Sequence, residues 1–209
     1  MRVSFLMRRI AAMLLAGYAA CTLAAFPQSV EKQMSRLKPF SADQVRTMLG
    51  KTTSSKVYFT QNAMRIEGTD AKGNPSIQIM RFDQKVIWNL VPAQKMYIEL
   101  PWASMGEFAA WADDQAMQRE SLGLEQVGQY HCEKFRVHVT LDGKQYTSLE
   151  WDAQELNGLP VKSQDEKGSW SKEYRNVQLG SQDPSLFEIP PGYQKLNMGG
   201  LGALARPHN

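Results

Sequence analysis

Short runs in which apolar and polar residues alternate, separated by turn residues, occupy most of the chain beyond residue 50. A period of two marks a half-buried strand, and several such runs in succession predict an antiparallel, mostly β fold. The turns fix register by simple pairing. Around Gln61-Asn62, Phe59 meets Met64, Tyr58 meets Arg65, Val57 meets Ile66 and Lys56 meets Glu67. One face of this hairpin is therefore Val57, Phe59, Met64 and Ile66, and the other is a polar face carrying Tyr58, Arg65, Lys56 and Glu67.

Turns at Asp83-Gln84 and Ala93-Gln94 place Met80, Phe82, Ile87, Val91, Met96, Ile98 and Leu100 on one face. The opposite face holds Ile77, Ile79, Val86, Trp88, Leu90 and Tyr97, with Arg81 and Glu99 among them. Both faces are substantially apolar, so each needs cover from a helix, another strand or a ligand. An Asp142-Gly143 turn, a favoured hairpin connection, puts Phe135, Val137, Val139 and Leu141 with Tyr146, and turns Cys132, His138, Leu149 and Trp151 the other way. Val161 to Asp165 pairs with Trp170 to Val177 around Lys167-Gly168, and Pro184, Pro190, Pro191 and Gly192 mark an irregular closing segment.

Helical spacing appears in two places. Trp102, Met105, Phe108, Ala109 and Ala112 share a stripe within Trp102 to Met117, as do Val30, Met34 and Leu37 within Gln28 to Leu37. Ser41 and Gln44 read either as a capping box opening a helix or as residues leading into a first strand over Val45 to Gly50. The sum is an α+β, mostly β chain of around ten antiparallel strands with one to three helices.

The N-terminus reads differently. Arg2, Arg8 and Arg9 precede an apolar run from Ile10 to Ala20, followed by small residues through Ala25, the layout of an export signal cleaved near Ala24 or Ala25. The run is too short for a membrane span, which needs roughly 20 apolar residues. Domain boundaries follow as a signal peptide over 1–25, one domain over 26–198 and a loose Gly-containing tail over 199–209. The expected location is the periplasm, with lipid anchoring at Cys21 as the lesser alternative and no transmembrane segment in the mature chain. The whole chain has 24 basic and 21 acidic residues, and its excess equals the three leader arginines, so the mature domain is balanced. Such a domain has no electrostatic reason to bind nucleic acid. Cys132 is the one cysteine beyond the leader and is expected to be a buried hydrophobe without a disulfide.

Catalytic patterns are missing from the sequence. His131 and His138 sit seven apart on one predicted strand and so face opposite ways, and His208 lies in the tail. Asp113-Asp114 and Asp165-Glu166 are neighbours that diverge rather than converge on a substrate, and no serine stands in a nucleophile elbow. No metal-ligand spacing appears, and neither a cofactor nor enzymatic activity is expected.

Arg81-Phe82-Asp83-Gln84-Lys85-Val86-Ile87-Trp88 and Pro92-x-x-Lys95-Met96-Tyr97-x-Glu99 resemble an uncharacterised family of exported bacterial domains. So do Leu159-Pro160-Val161-Lys162, Tyr174-x-Asn176-Val177 and Leu186-Phe187-x-Ile189-Pro190-x-Gly192-Tyr193. More distantly, the design is similar to the LolA, LolB and RseB group, in which a curved antiparallel sheet makes an open half-barrel with helices in its concave side. That resemblance implies that Val45 to Gly50 is a strand. It transfers no activity, but the apolar faces suit a non-enzymatic envelope protein holding an acyl chain, a lipid or a lipoprotein against Met80, Phe82, Ile87, Val91, Met96 and Ile98, with Phe108 and Trp111 from the predicted helix. Methionine suits such a lining because its unbranched thioether refits to different guests. Two other readings compete: an interaction or stress-sensing module that offers Trp88, Tyr97 or strand edges to an envelope protein, and a soft-metal site of methionines with Cys132. The latter lacks a compact methionine cluster.

Overall fold

The computed structural model describes residues 35–70, 72–101, 117–141 and 144–196. They form one twelve-stranded sheet: β1 (Phe40–Met48), β2 (Lys51–Phe59), β3 (Ala63–Thr69), β4 (Pro75–Arg81), β5 (Val86–Val91), β6 (Met96–Pro101), β7 (Met117–Val127), β8 (Tyr130–Leu141), β9 (Lys144–Ala153), β10 (Leu159–Asp165), β11 (Trp170–Leu179) and β12 (Gln194–Lys195). Their spatial order is β12-β6-β5-β4-β3-β2-β1-β11-β10-β9-β8-β7. Two meanders, β1 to β6 and β7 to β11, are thus joined through the pairing of β1 with β11. The sheet is curved and does not close, leaving β7 on one edge and β12 beside β6 on the other, which makes an open half-barrel. Bulges at Ser41/Asp43, Pro160/Lys162 and Ser121/Gly123 add the local twist that coiling requires.

The predicted hairpin registers are observed. Val57 pairs with Ile66, Met80 with Ile87, Val91 with Met96, Val139 with Tyr146 and Lys162 with Glu173. The helical reading from Ser41 is overturned: Phe40 to Met48 is a strand paired on both sides, so its polar residues meet strand neighbours rather than helix N–H groups. The expected helix over Trp102 to Met117 lies outside the described residues, except that Met117 already opens β7. That edge strand was not foreseen, because its polar sequence lacks a clean alternation. Of the Gln28 to Leu37 segment only the end is described, and there residues 35–36 are helical. Among the described residues no helix is long and apolar enough to cross a membrane.

The main core lies on one face of the central strands. Phe40 stacks on Phe59 at 5.2 Å between ring centres and meets Tyr174 edge-on at 5.7 Å. Val57, Cys132, Trp151, Leu159 and Val161 complete it, with Leu37 packed in from outside the sheet. The chain before β1 is pinned on both flanks: Gln61 Nε2 donates to Leu37 O at 2.9 Å, and Asn157 Nδ2 donates to Arg36 O at 2.7 Å. The Arg36–Leu37 segment therefore links the β2–β3 turn to the β9–β10 connection, with the Leu37 side chain buried in the main core.

Candidate functional site

The pairing of β3 with β4 extends the first hairpin's apolar face into the next. Met64 lies opposite Met80, Met80 opposite Ile87 and Ile87 opposite Leu100, giving one apolar row across four strands. The next row runs Ile66, Gln78, Asn89, Ile98, and Gln78 Nε2 donates to Asn89 Oδ1 at 2.9 Å, so one hydrogen bond joins the two amides flanked by Ile66 and Ile98. Val91 and Met96 pair one row further on. Met80 and Ile87 are buried, Ile87 at 1% exposure, whereas Phe82, Met96 and Ile98 are half-buried and Val91 is 36% exposed. Phe82 turns toward the main core, its ring centre 6.5 Å from that of Phe59. Phe108 and Trp111 fall outside the described residues. Met64, Ile66 and Leu100 belong to the same face and were not part of the expected lining; only the β3–β4 register, set by a loop held through Asp70, reveals the first two.

The opposite face is covered by the chain itself. After β11 a strap crosses β3 to β6 and places Leu186, Phe187, Ile189 and Tyr193 against Ala63, Ile79, Trp88 and Leu90. Beyond it β12 pairs in parallel with β6, and Leu196 N donates to Tyr97 O at 2.8 Å. The expected polar face of the first hairpin is therefore not a solvent face. Arg65 is 7% exposed, donates to Glu67 at 2.6 Å and to Leu186 O at 2.8 Å, and Tyr58 packs with the strap cluster. Trp88 is buried too, its indole N–H donating to Glu99 at 3.0 Å, so it is unavailable as an interaction surface. Lys195 donates to the same carboxylate at 2.7 Å, and these two bonds hold Glu99 below the usual carboxylate range.

Residues 45–156 match the family model described as "Domain of unknown function (DUF4412)". The chain belongs to that family. The match takes in the Arg81–Trp88 and Pro92–Glu99 motifs and most of both meanders, while β10, β11 and the strap lie beyond it. No curated protein matches the chain. Solved structures similar to this DUF4412 member include PNGF-II, 10% identical with a TM-score of 0.47, covering 80% of this chain and 32% of that one. Others are the lipoprotein LppX of Mycobacterium tuberculosis, 12% identical with a TM-score of 0.46 over 73% and 95% of the two chains, and the MucA/MucB complex of Pseudomonas aeruginosa, 12% and 0.47 over 79% and 60%. The chain thus spans about a third of the PNGF-II length.

Among the described residues of this DUF4412 chain, the titratable side chains meet mainly in pairs. His131 Nδ1 lies 2.6 Å from Glu155 on the surface, and His138 Nδ1 lies 3.0 Å from the Thr147 hydroxyl. Among the described residues no three His, Cys, Asp or Glu side chains gather to hold a metal ion. Arg119 centres a largely buried polar group: its Nη2 is 2.7 Å from Asp152 and 3.4 Å from Glu150, and its guanidinium lies 4.2 Å over the Phe135 ring. Burial pushes the Asp152 carboxyl up to about 6 against the pull of Arg119, and Glu150 adds to the rise. Trp151 sits between two lysines, with Lys162 Nζ at 4.5 Å and Lys134 Nζ at 4.9 Å from its ring centre, and its indole N–H donates to Glu125.

Proposed function

We propose that this protein is a non-enzymatic component of the bacterial envelope that binds an acyl chain, a lipid or a lipoprotein on the open apolar face of β3 to β6. One observation carries the reading: Met96, Ile98 and Leu100 are half-buried in line with the buried Met80 and Ile87, so an unfinished apolar surface continues a finished one. Aliphatic surface left half in water gains about 25 cal/mol per Å² when a guest covers it. Phe82, Val91, Phe108 and Trp111 are proposed to complete the lining. Periplasmic residence rests on the Arg2, Arg8 and Arg9 leader, and N-terminal sequencing of exported protein should begin near Ala25.

The test is Met96→Trp. If Met96 borders open space, the larger ring lowers uptake of a fluorescent fatty acid or phospholipid and leaves stability nearly unchanged, whereas overpacking a filled interior costs about 1 to 3 kcal/mol. Lys72→Gln, in the exposed β3–β4 loop, serves as the control and keeps full uptake. A wild type that takes up no probe, together with an unfolded Met96→Trp, overturns the proposal. Mass spectrometry of protein purified gently from its host then decides between lipid and a stoichiometric protein partner.

A further inference from the structure

The β1–β2 turn breaks a local rule at an exposed position. Met48 pairs with Lys51, so Leu49 and Gly50 are the two central residues, and their φ angles are +50° and +78°. Two positive φ values in a two-residue hairpin loop are the type I′ pattern, in which Asn, Asp or Gly is favoured at the first position and a leucine is strained. Leu49 is nonetheless 84% exposed, and Met48 beside it is 51% exposed. Packing within the domain does not compensate for that strain. The Leu49 backbone N–H is bonded within the fold, but an exposed leucine side chain in a strained turn gains nothing there and points to a use outside the fold.

The strands behind this tip are cationic. Pairing sets Lys51, Met48 and Trp170 in one cross-strand row and Thr53, Arg46 and Lys172 in the next. Arg46 and Lys172 stand directly opposite each other, an unfavourable placing of like charges. Lys167 adds a fourth cation from the β10–β11 turn, which is tied to the tip by Leu49 N donating to Ser169 O at 3.0 Å. The carboxylates of that turn are engaged: Asp165 accepts from the Ser169 hydroxyl at 2.6 Å and from Trp170 N at 3.0 Å, and Glu166 accepts from Arg136 at 2.9 Å. Lys172 stacks 5.0 Å from the Tyr174 ring centre, and none of the four cations has an ion-pair partner among the described residues.

We propose that this tip docks on an anionic lipid bilayer, with Leu49 and Met48 entering the boundary between headgroups and acyl chains while Arg46, Lys51, Lys167 and Lys172 meet the phosphates. A bilayer surface satisfies both features at once, because hydrocarbon lies directly beneath a plane of negative charge. Trp170, half-buried in the same cross-strand row as Met48, stands where an indole is favoured at a membrane interface. A protein partner suits the shape less well. A two-residue hairpin point offers far less than the roughly 800 Å² per side of a stable protein interface. This docking does not depend on the ligand proposal, since a protein with a filled interior presents the same tip.

The test is co-sedimentation of the protein, purified as the cell processes it, with vesicles of phosphatidylglycerol and phosphatidylethanolamine or of phosphatidylcholine alone. Wild type binds the anionic vesicles, and salt at about 0.5 M weakens that binding by screening. Leu49→Asn binds about tenfold less, while its melting temperature stays the same or rises because Asn-Gly is the preferred type I′ pair. Arg46→Gln combined with Lys51→Gln lowers binding ten- to thirtyfold, at about 1 kcal/mol per cation near an anionic surface. Equal binding by Leu49→Asn, or wild type that binds neither vesicle, overturns the proposal, and the second result returns the strained leucine to a protein contact.

Discussion

The Arg65 guanidinium donates to the main-chain carbonyl of Leu186 at 2.8 Å across 121 residues of sequence. A charge on the second strand of an early hairpin is thereby committed to holding down the end of the domain. Glu67, itself partly exposed, neutralises it at 2.6 Å, so the buried guanidinium is not left unpartnered. Arg81 repeats the device one strand over, reaching Glu188 at 2.7 Å and Phe187 O at 3.3 Å.

Removing the apolar anchor of that strap should expose the second core. Phe187→Ala is expected to lower stability by about 3 to 5 kcal/mol, the usual cost of deleting a buried phenyl ring. Arg65→Ala leaves the Leu186 carbonyl and the partly exposed Glu67 without their donor and should cost about 1 to 3 kcal/mol. Urea denaturation of both single variants and the double variant checks this. The two changes share one strap, so their effects should sum to less than the separate values.

Asp152 makes stability depend on acidity. Its ordinary value of 3.8 rises to about 6 in the folded chain, so the folded state holds the proton more tightly than the unfolded one. The stabilisation is complete below pH 3.8 and is lost as pH rises through 6, amounting to about 3 kcal/mol at most. Asp152→Asn removes this loss. It should match wild type near pH 3.5 and exceed it by about 1 to 3 kcal/mol at pH 7, read as diverging melting curves across that window.

Opposite behaviour is expected of its partner. Arg119→Met leaves Asp152 and Glu150 as two close, largely buried carboxylates, and one atom of each already lacks a hydrogen-bond partner. Such a variant should lose about 3 to 5 kcal/mol at pH 7 and recover much of that loss near pH 4, where protonation removes the repulsion. A pH-independent loss would assign Arg119 to packing over Phe135 alone.

Cys132 is free and buried, and burial pushes its thiol up, away from the reactive thiolate. Labelling by a thiol-specific reagent should be undetectable in the folded state and should reach one equivalent for Cys132 on unfolding. Electrophoretic mobility of processed protein should be unchanged by reductant.

The hairpins were legible because their information is local. Alternation decides which face each side chain joins, and turn position decides what lies opposite, so Met64 against Phe59 or Ile87 against Met80 follows from a few neighbouring residues. The apolar face bearing Met80, Ile87, Met96 and Ile98 was readable for the same reason. Residues separated by a longer loop were harder: the β3–β4 pairing that joins Met64 to Met80 passes through a turn with no two-residue signature.

Sequence alone therefore determined a β meander and the registers of its tight hairpins. Tertiary structure decided what closes on what. Asp43 lies opposite Arg175 in the joining of β1 with β11, and no local preference selects that partner over any other antiparallel strand. The strap decided which apolar face is sealed, since both faces of β4 to β6 carried similar hydrophobicity and only long-range packing of Phe187 distinguishes them. Alternation within a strand is fixed by backbone geometry, whereas pairing between distant strands is fixed by the burial they achieve together.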